Sequence, residues 1–93
     1  MRVDEAKFEF LEQAPLPRWA MRVKVSGEGF EPHAAPLRAL VGDELVEGIL
    51  PNLDADGFIG YLHREPPAGA SLVVGYLDGS LIETGIEYEP PVG

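Results

Sequence analysis

The chain has 93 residues and a formal charge of -9 from 16 acidic and 7 basic side chains, a length that supports one domain around one modest core. It has no cysteine, which excludes a disulfide framework and a thiolate metal site. No apolar run is long enough to span a bilayer as a helix, and an acidic surface repels nucleic acid and anionic lipid.

The charge is uneven. Up to residue 39 acids and bases balance, whereas beyond it Arg64 is the only base among ten acids. Eleven glycines and nine prolines suit a chain broken by turns rather than one built from long helices. The start, Met1 to Glu5, lacks the apolar stretch of a signal peptide. The expectation is a cytoplasmic protein, unless the chain is a domain of a larger exported one.

Residues 4–14 carry two patterns. Phe8 and Phe10 alternate with Lys7 and Glu9 as in a strand, while Ala6, Leu11, Glu12 and Gln13 favour a helix that Asp4 can cap. The strand is preferred because the neighbouring segments are strand-like. Pro15 and Pro17 end it.

Residues 18–26 read as the clearest strand. Trp19, Met21, Val23 and Val25 fall on one face, which predicts core, and Arg18, Arg22 and Lys24 on the other, which predicts a solvated basic stripe. Gly27 and Gly29 bracket Glu28 and permit a turn that a Cβ would resist. Phe30 then folds back to plug the end of the core. Glu31 to Pro36 is a loop.

Leu37 to Val41 is a third strand, turned by Gly42-Asp43-Glu44 into a fourth, Leu45 to Leu50, which Pro51 stops. A turn over 52–57 leads to Phe58–His63. Pro66-Pro67-Ala68-Gly69 turns the chain into Ser71–Leu77, whose Leu72-Val73-Val74 run suits a central strand. Asp78-Gly79 is a hairpin signal leading to Leu81–Tyr88, and residues 89–93 form a tail. About seven short strands at intervals of about ten residues mark a sandwich or small barrel.

The order of Val23 to Phe30, Leu37 to Gly42, Phe58 to Leu62, Pro66 to Gly69 and Leu72 to Tyr76 resembles the IPT/TIG branch of immunoglobulin-like domains. In that branch a V-x-V-x-G-x-G-F strand is followed by a strand ending in glycine, then a hairpin. The chain departs from the pattern at Pro15-Leu16-Pro17, where the family has a turn of proline and glycine. The resemblance covers most of residues 18–88 and implies an all-β, immunoglobulin-like antiparallel β-sandwich of about seven strands, while the length makes residues 1–93 one domain. It implies a non-catalytic module and carries over no catalytic residue.

Asn52, Asp54, Asp56 and Gly57 match the opening of a calcium loop, with hard oxygen ligands at alternate positions and a glycine for the sharp turn. The twelfth position is His63 rather than a bidentate glutamate, and no helices flank the loop. The same residues equally describe an acidic turn between strands. His33 and His63 lack the spacing of a ligand pair.

No serine sits on a nucleophile elbow, and Gly27-Glu28-Gly29 lacks the lysine and helix of a phosphate loop. Glu83 and Glu87 are two carboxylates on one strand, without a cleft to raise the pKa of either. No enzyme and no cofactor are expected.

The expected role is a protein-interaction or structural module, with a protein partner or self-association. Arg22 and Lys24 supply a basic stripe against the acids Glu83, Glu87 and Glu89. The alternative is a carbohydrate-binding or calcium-assisted adhesive module using Asn52, Asp54 and Asp56 with an exposed Tyr61 or Tyr76.

Overall fold

The structure, a computed structural model, describes residues 2–11, 20–30 and 36–90. The expectations for Trp19 and Arg18, for the prolines at 15 and 17 and for the loop holding His33 lie outside these residues. Eight strands are described: β1 (Arg2–Phe10), β2 (Met21–Glu28), β3 (Leu37–Val41), β4 (Glu44–Leu45), β5 (Glu47–Pro51), β6 (Gly57–Leu62), β7 (Ser71–Tyr76) and β8 (Ile82–Glu87). They form two antiparallel four-stranded sheets, in the orders β1-β2-β6-β5 and β4-β3-β7-β8, consistent with a β-sandwich.

Period-2 patterning builds the core. Met21, Val23 and Val25 of β2 lie opposite Leu62, Gly60 and Phe58 of β6, and all six are buried. The second sheet answers with Ala39 and Val41 of β3 opposite Val74 and Leu72 of β7. Phe30 is completely buried and meets Phe58 edge-on, with centroids 5.6 Å apart. Burying a side chain of this size contributes roughly 1.5–3 kcal/mol. Phe30 therefore takes the plugging position expected of it.

The two glycines before Phe30 do different work. Gly29 has φ +81° and makes the turn. Gly27 stays inside β2, where a Cβ would run into the carbonyl of Arg2. Its lack of a side chain lets β1 approach, and the turn does not depend on it.

Of the segment 4–14, residues 12–14 lie outside the described residues; the described part takes the strand alternative, as β1 over Arg2–Phe10, paired with β2 along its length. The single strand expected over Leu45–Leu50 is instead two. Glu44–Leu45 pairs with β3, Val46 crosses the core at 4% exposure, and Glu47–Pro51 pairs with β6. Gly60 makes room for this crossing, since a Cβ there would strike the Val46 side chain.

Alternation cannot mark a change of sheet, because Val46 is buried between exposed Leu45 and half-buried Glu47, as an inward residue of one continuous strand would be. Pro51 is the last residue of β5 and pairs with Phe58. At the end of an edge strand its missing N–H breaks no ladder. The β7–β8 hairpin forms, but over a five-residue connection in which Gly79 stays out of the left-handed region.

Candidate functional site

A sandwich exposes its sheet edges, and each edge strand offers unpaired backbone donors and acceptors. Among the described residues the edges are β1 and β5 in one sheet and β4 and β8 in the other. Three of them are blunted. β4 has two residues. β5 carries a bulge between Glu47 and Leu50, with Gly48 at φ +62°, and it ends in proline.

β8 is bulged between Glu83 and Glu87, with Gly85 at φ +78°. The Thr84 hydroxyl donates to the Leu72 carbonyl at 2.8 Å and accepts from the Ile86 amide at 3.1 Å. A side chain thus takes over hydrogen bonds that a regular ladder would make. β1 has one irregularity, between Val3 and Glu5, and then pairs regularly with β2 from Glu5 to Phe10. Six extended residues span about 20 Å.

β1 and β8 approach each other across the open side of the sandwich. The Phe8 ring meets Tyr88 edge-on, with centroids 4.9 Å apart, and closes the bottom of the seam. Two hollows lie along it. The larger, about 440 Å³, has Ala6, Phe8 and Ile86 as its apolar lining, with the acidic residues Asp4, Glu5, Glu87 and Glu89 around them. The smaller, about 200 Å³, is lined by Arg2, Val3, Ile82, Glu83 and Thr84.

Among the described residues, one cation lines the seam, and it is already engaged. Arg2 contacts Asp4 at 2.9 Å and Glu28 at 3.1 Å. Its pKa is raised by the hydrogen bond to Asp4, then by the charges of Asp4 and Glu28. Lys7 lies 3.6 Å from Glu5. Among the described residues Glu83, Glu87 and Glu89 have no ion-pair partner. The seam therefore joins backbone groups of a regular edge, an apolar floor and uncompensated negative charge.

The residues nominated from the sequence fall elsewhere. Arg22, Lys24 and Tyr61 come together on the outer face of the first sheet. Arg22 lies opposite Tyr61, and Lys24 lies opposite Ile59 on one side and Lys7 on the other. Arg22 is held by Glu9 at 2.8 Å. Tyr76 is in the other sheet, and its hydroxyl donates to the Gly29 carbonyl at 2.9 Å. It ties β7 to the turn after β2.

Asn52, Asp54 and Asp56 sit in the turn joining β5 to β6. The Asn52 side-chain amide donates to Asp56 at 3.0 Å. The carbonyls of Ala55 and Asp56 accept from the amides of Phe30 and Gly27 at 3.1 and 2.9 Å. The turn thus braces the end of the core beside Phe30. Among the described residues no group of three or more His, Cys, Asp or Glu side chains is placed to hold a metal ion. His63 contacts Glu47.

No family model, curated protein or solved structure matches the chain.

The seam residues Asp4, Glu5, Phe8 and Ile86 carry no sequence signal of a site. Acids and apolar residues at these spacings describe any half-buried strand. Two segments about eighty residues apart become one cleft only through the packing of the sheets.

Proposed function

We propose that the chain is a non-catalytic, immunoglobulin-like interaction module that binds an extended segment of a protein partner along β1. The observation that carries this reading is the contrast among the four sheet edges. Three are short, bulged or ended by proline, while β1 keeps regular pairing geometry from Glu5 to Phe10. Proteins blunt edges that must not pair, and an extended peptide adds to an edge that is left regular.

The immunoglobulin-like part of the reading is supported by strand order. Lettered along the chain, β1-β2-β6-β5 and β3-β7-β8 follow the A-B-E-D and C-F-G order of a constant-type domain, with β4 added beside C. The IPT/TIG assignment rests on the Val23–Phe30 element, whose Phe30 is buried against Phe58. Sandwiches host many unrelated roles, so the function is argued from the edge and not from the fold.

The test is a footprint. Proteins captured from a lysate of the source cells are returned to the isotope-exchanged chain, and amide protection is mapped. Protection gained over Glu5–Phe10 is the expected result. Protection confined to the outer face around Arg22, Lys24 and Tyr61 would overturn the edge reading.

A further inference from the structure

We infer that the segment accepted by β1 is cationic, an extended stretch with Lys or Arg at alternate positions, and is not a second copy of this chain. The inference rests on the edge reading above and adds the chemistry of the occupant.

A strand added to β1 lies about 4.8 Å beyond it and presents side chains to alternate faces. One set enters the seam, above Ala6, Phe8 and Ile86 and among the acidic residues Asp4, Glu87 and Glu89. The other set shares the outer face with Glu5, Lys7 and Glu9. Opposite charges facing each other across a ladder stabilise it, and like charges destabilise it.

Among the described residues the seam has no cation to spare. Arg2, the cation that lines it, is engaged by Asp4 and Glu28, and on the outer face Lys7 is engaged by Glu5. The aliphatic stem of a lysine or arginine covers apolar surface while its head reaches a carboxylate. One residue type therefore fits both the floor and the rim of the larger hollow. The charge of -9 also draws a cationic segment in and slows the approach of another copy.

A second copy fits poorly for a specific reason. Pairing β1 with β1 about a two-fold axis extends the sheet and sets the two seams side by side. Glu83, Glu87 and Glu89 of each copy would then face the same acids of the other. Nothing in the seam offsets that repulsion, since its cation is already bound to carboxylates of its own chain.

The test uses the full chain, isotopically labelled, titrated with three end-blocked octapeptides. They alternate valine with lysine, with serine or with glutamate. The lysine peptide is expected to bind at least about tenfold more tightly than the serine peptide, with shifts over Glu5–Phe10, and the glutamate peptide not to bind. Raising salt from 0.05 to 0.5 M should weaken the lysine peptide by about tenfold, because the attraction is screened. A double substitution, Glu87→Gln with Glu89→Gln, should weaken it about fivefold and leave the melting temperature unchanged.

Equal binding of the lysine and serine peptides on β1 would overturn the charge inference and leave the edge reading standing. Lysine-peptide shifts located away from β1, or no binding by any peptide to a monomeric chain, would overturn both. Sedimentation as a dimer with β1 protected would make a second copy the occupant and overturn the inference alone.

Discussion

The Phe8 ring stands edge-on to the ring of Tyr88, at 79° and with centroids 4.9 Å apart. This pair joins the first strand to the residue that follows the last. It closes the β1–β8 side of the two sheets, where no hydrogen-bonded ladder joins them among the described residues. The Tyr88 backbone is fixed in turn by Ala70, whose carbonyl accepts from its amide at 2.8 Å, and by Gly69, whose amide donates to its carbonyl at 2.9 Å.

Phe8→Ala should therefore cost about 2–3 kcal/mol. That is below the 3–5 kcal/mol of a fully buried phenylalanine, because the Phe8 side chain is only partly buried. Urea denaturation reads the loss. A change under about 0.5 kcal/mol would show that the seam is held by other contacts.

Tyr88 itself links stability to pH. Its side chain is buried, and its hydroxyl donates to Glu65 at 2.5 Å. Burial, then the hydrogen bond to Glu65 and that group's charge, raise its pKa above the ordinary value of 10.0. An unfolded tyrosine loses its proton near pH 10, while the folded one keeps it to higher pH. The associated stability is complete below about pH 10 and falls as the pH rises above it. Denaturation midpoints from pH 8 to 11 should decline at the alkaline end. Tyr88→Phe should flatten that decline, and an equally steep fall in the variant would assign it to other groups.

Two glycines give a matched pair of substitutions. At Gly27 a methyl group would occupy the place of the Arg2 carbonyl, whereas at Gly79 its nearest neighbour is the Tyr76 carbonyl at 4.0 Å. Gly27→Ala should destabilise by about 1–3 kcal/mol, as overpacking does, and should speed amide exchange in β1. Gly79→Ala should stay within about 0.5 kcal/mol of the parent. Equal effects would mean that β1 yields to the added methyl at little cost.

Thr84→Val keeps the shape of the side chain and removes both hydrogen bonds of the β8 bulge. The expected loss is about 1–2 kcal/mol, with faster exchange of the Ile86 amide. Unchanged exchange at Ile86 would show that the bulge is held by its backbone alone.

Calcium at millimolar concentration is expected to leave the melting temperature where it was. In the turn over 52–57 the Asn52 amide nitrogen faces Asp56, and two carbonyls already accept from Phe30 and Gly27. A cation drawing on the Asp56 carboxylate or these carbonyls would compete with those donors. A calcium-dependent rise in melting temperature, removed by Asp54→Ala, would establish the turn as a cation site.

Much of the fold was legible along the chain. The Met21, Val23 and Val25 face, the Phe30 plug and the strand at Leu37–Val41 all follow from local period and turn chemistry. The division of Leu45–Leu50 was not legible, because Val46 crosses between sheets while staying as buried as any strand residue. Asp78-Gly79 signalled the hairpin but not its length. Of the nominated side chains, Arg22, Lys24 and Tyr61 share one face, and Tyr76 is committed to the Gly29 carbonyl.

Which residues face inward is a local property of the chain. Side-chain direction alternates with every residue of a strand, so it is written locally. Which strands become edges was decided only by the tertiary structure, because edge status depends on pairings between segments far apart in the chain. Glu5 and Glu87 lie 82 positions apart and meet at one hollow only because β1 and β8 end up on the same side of two stacked sheets.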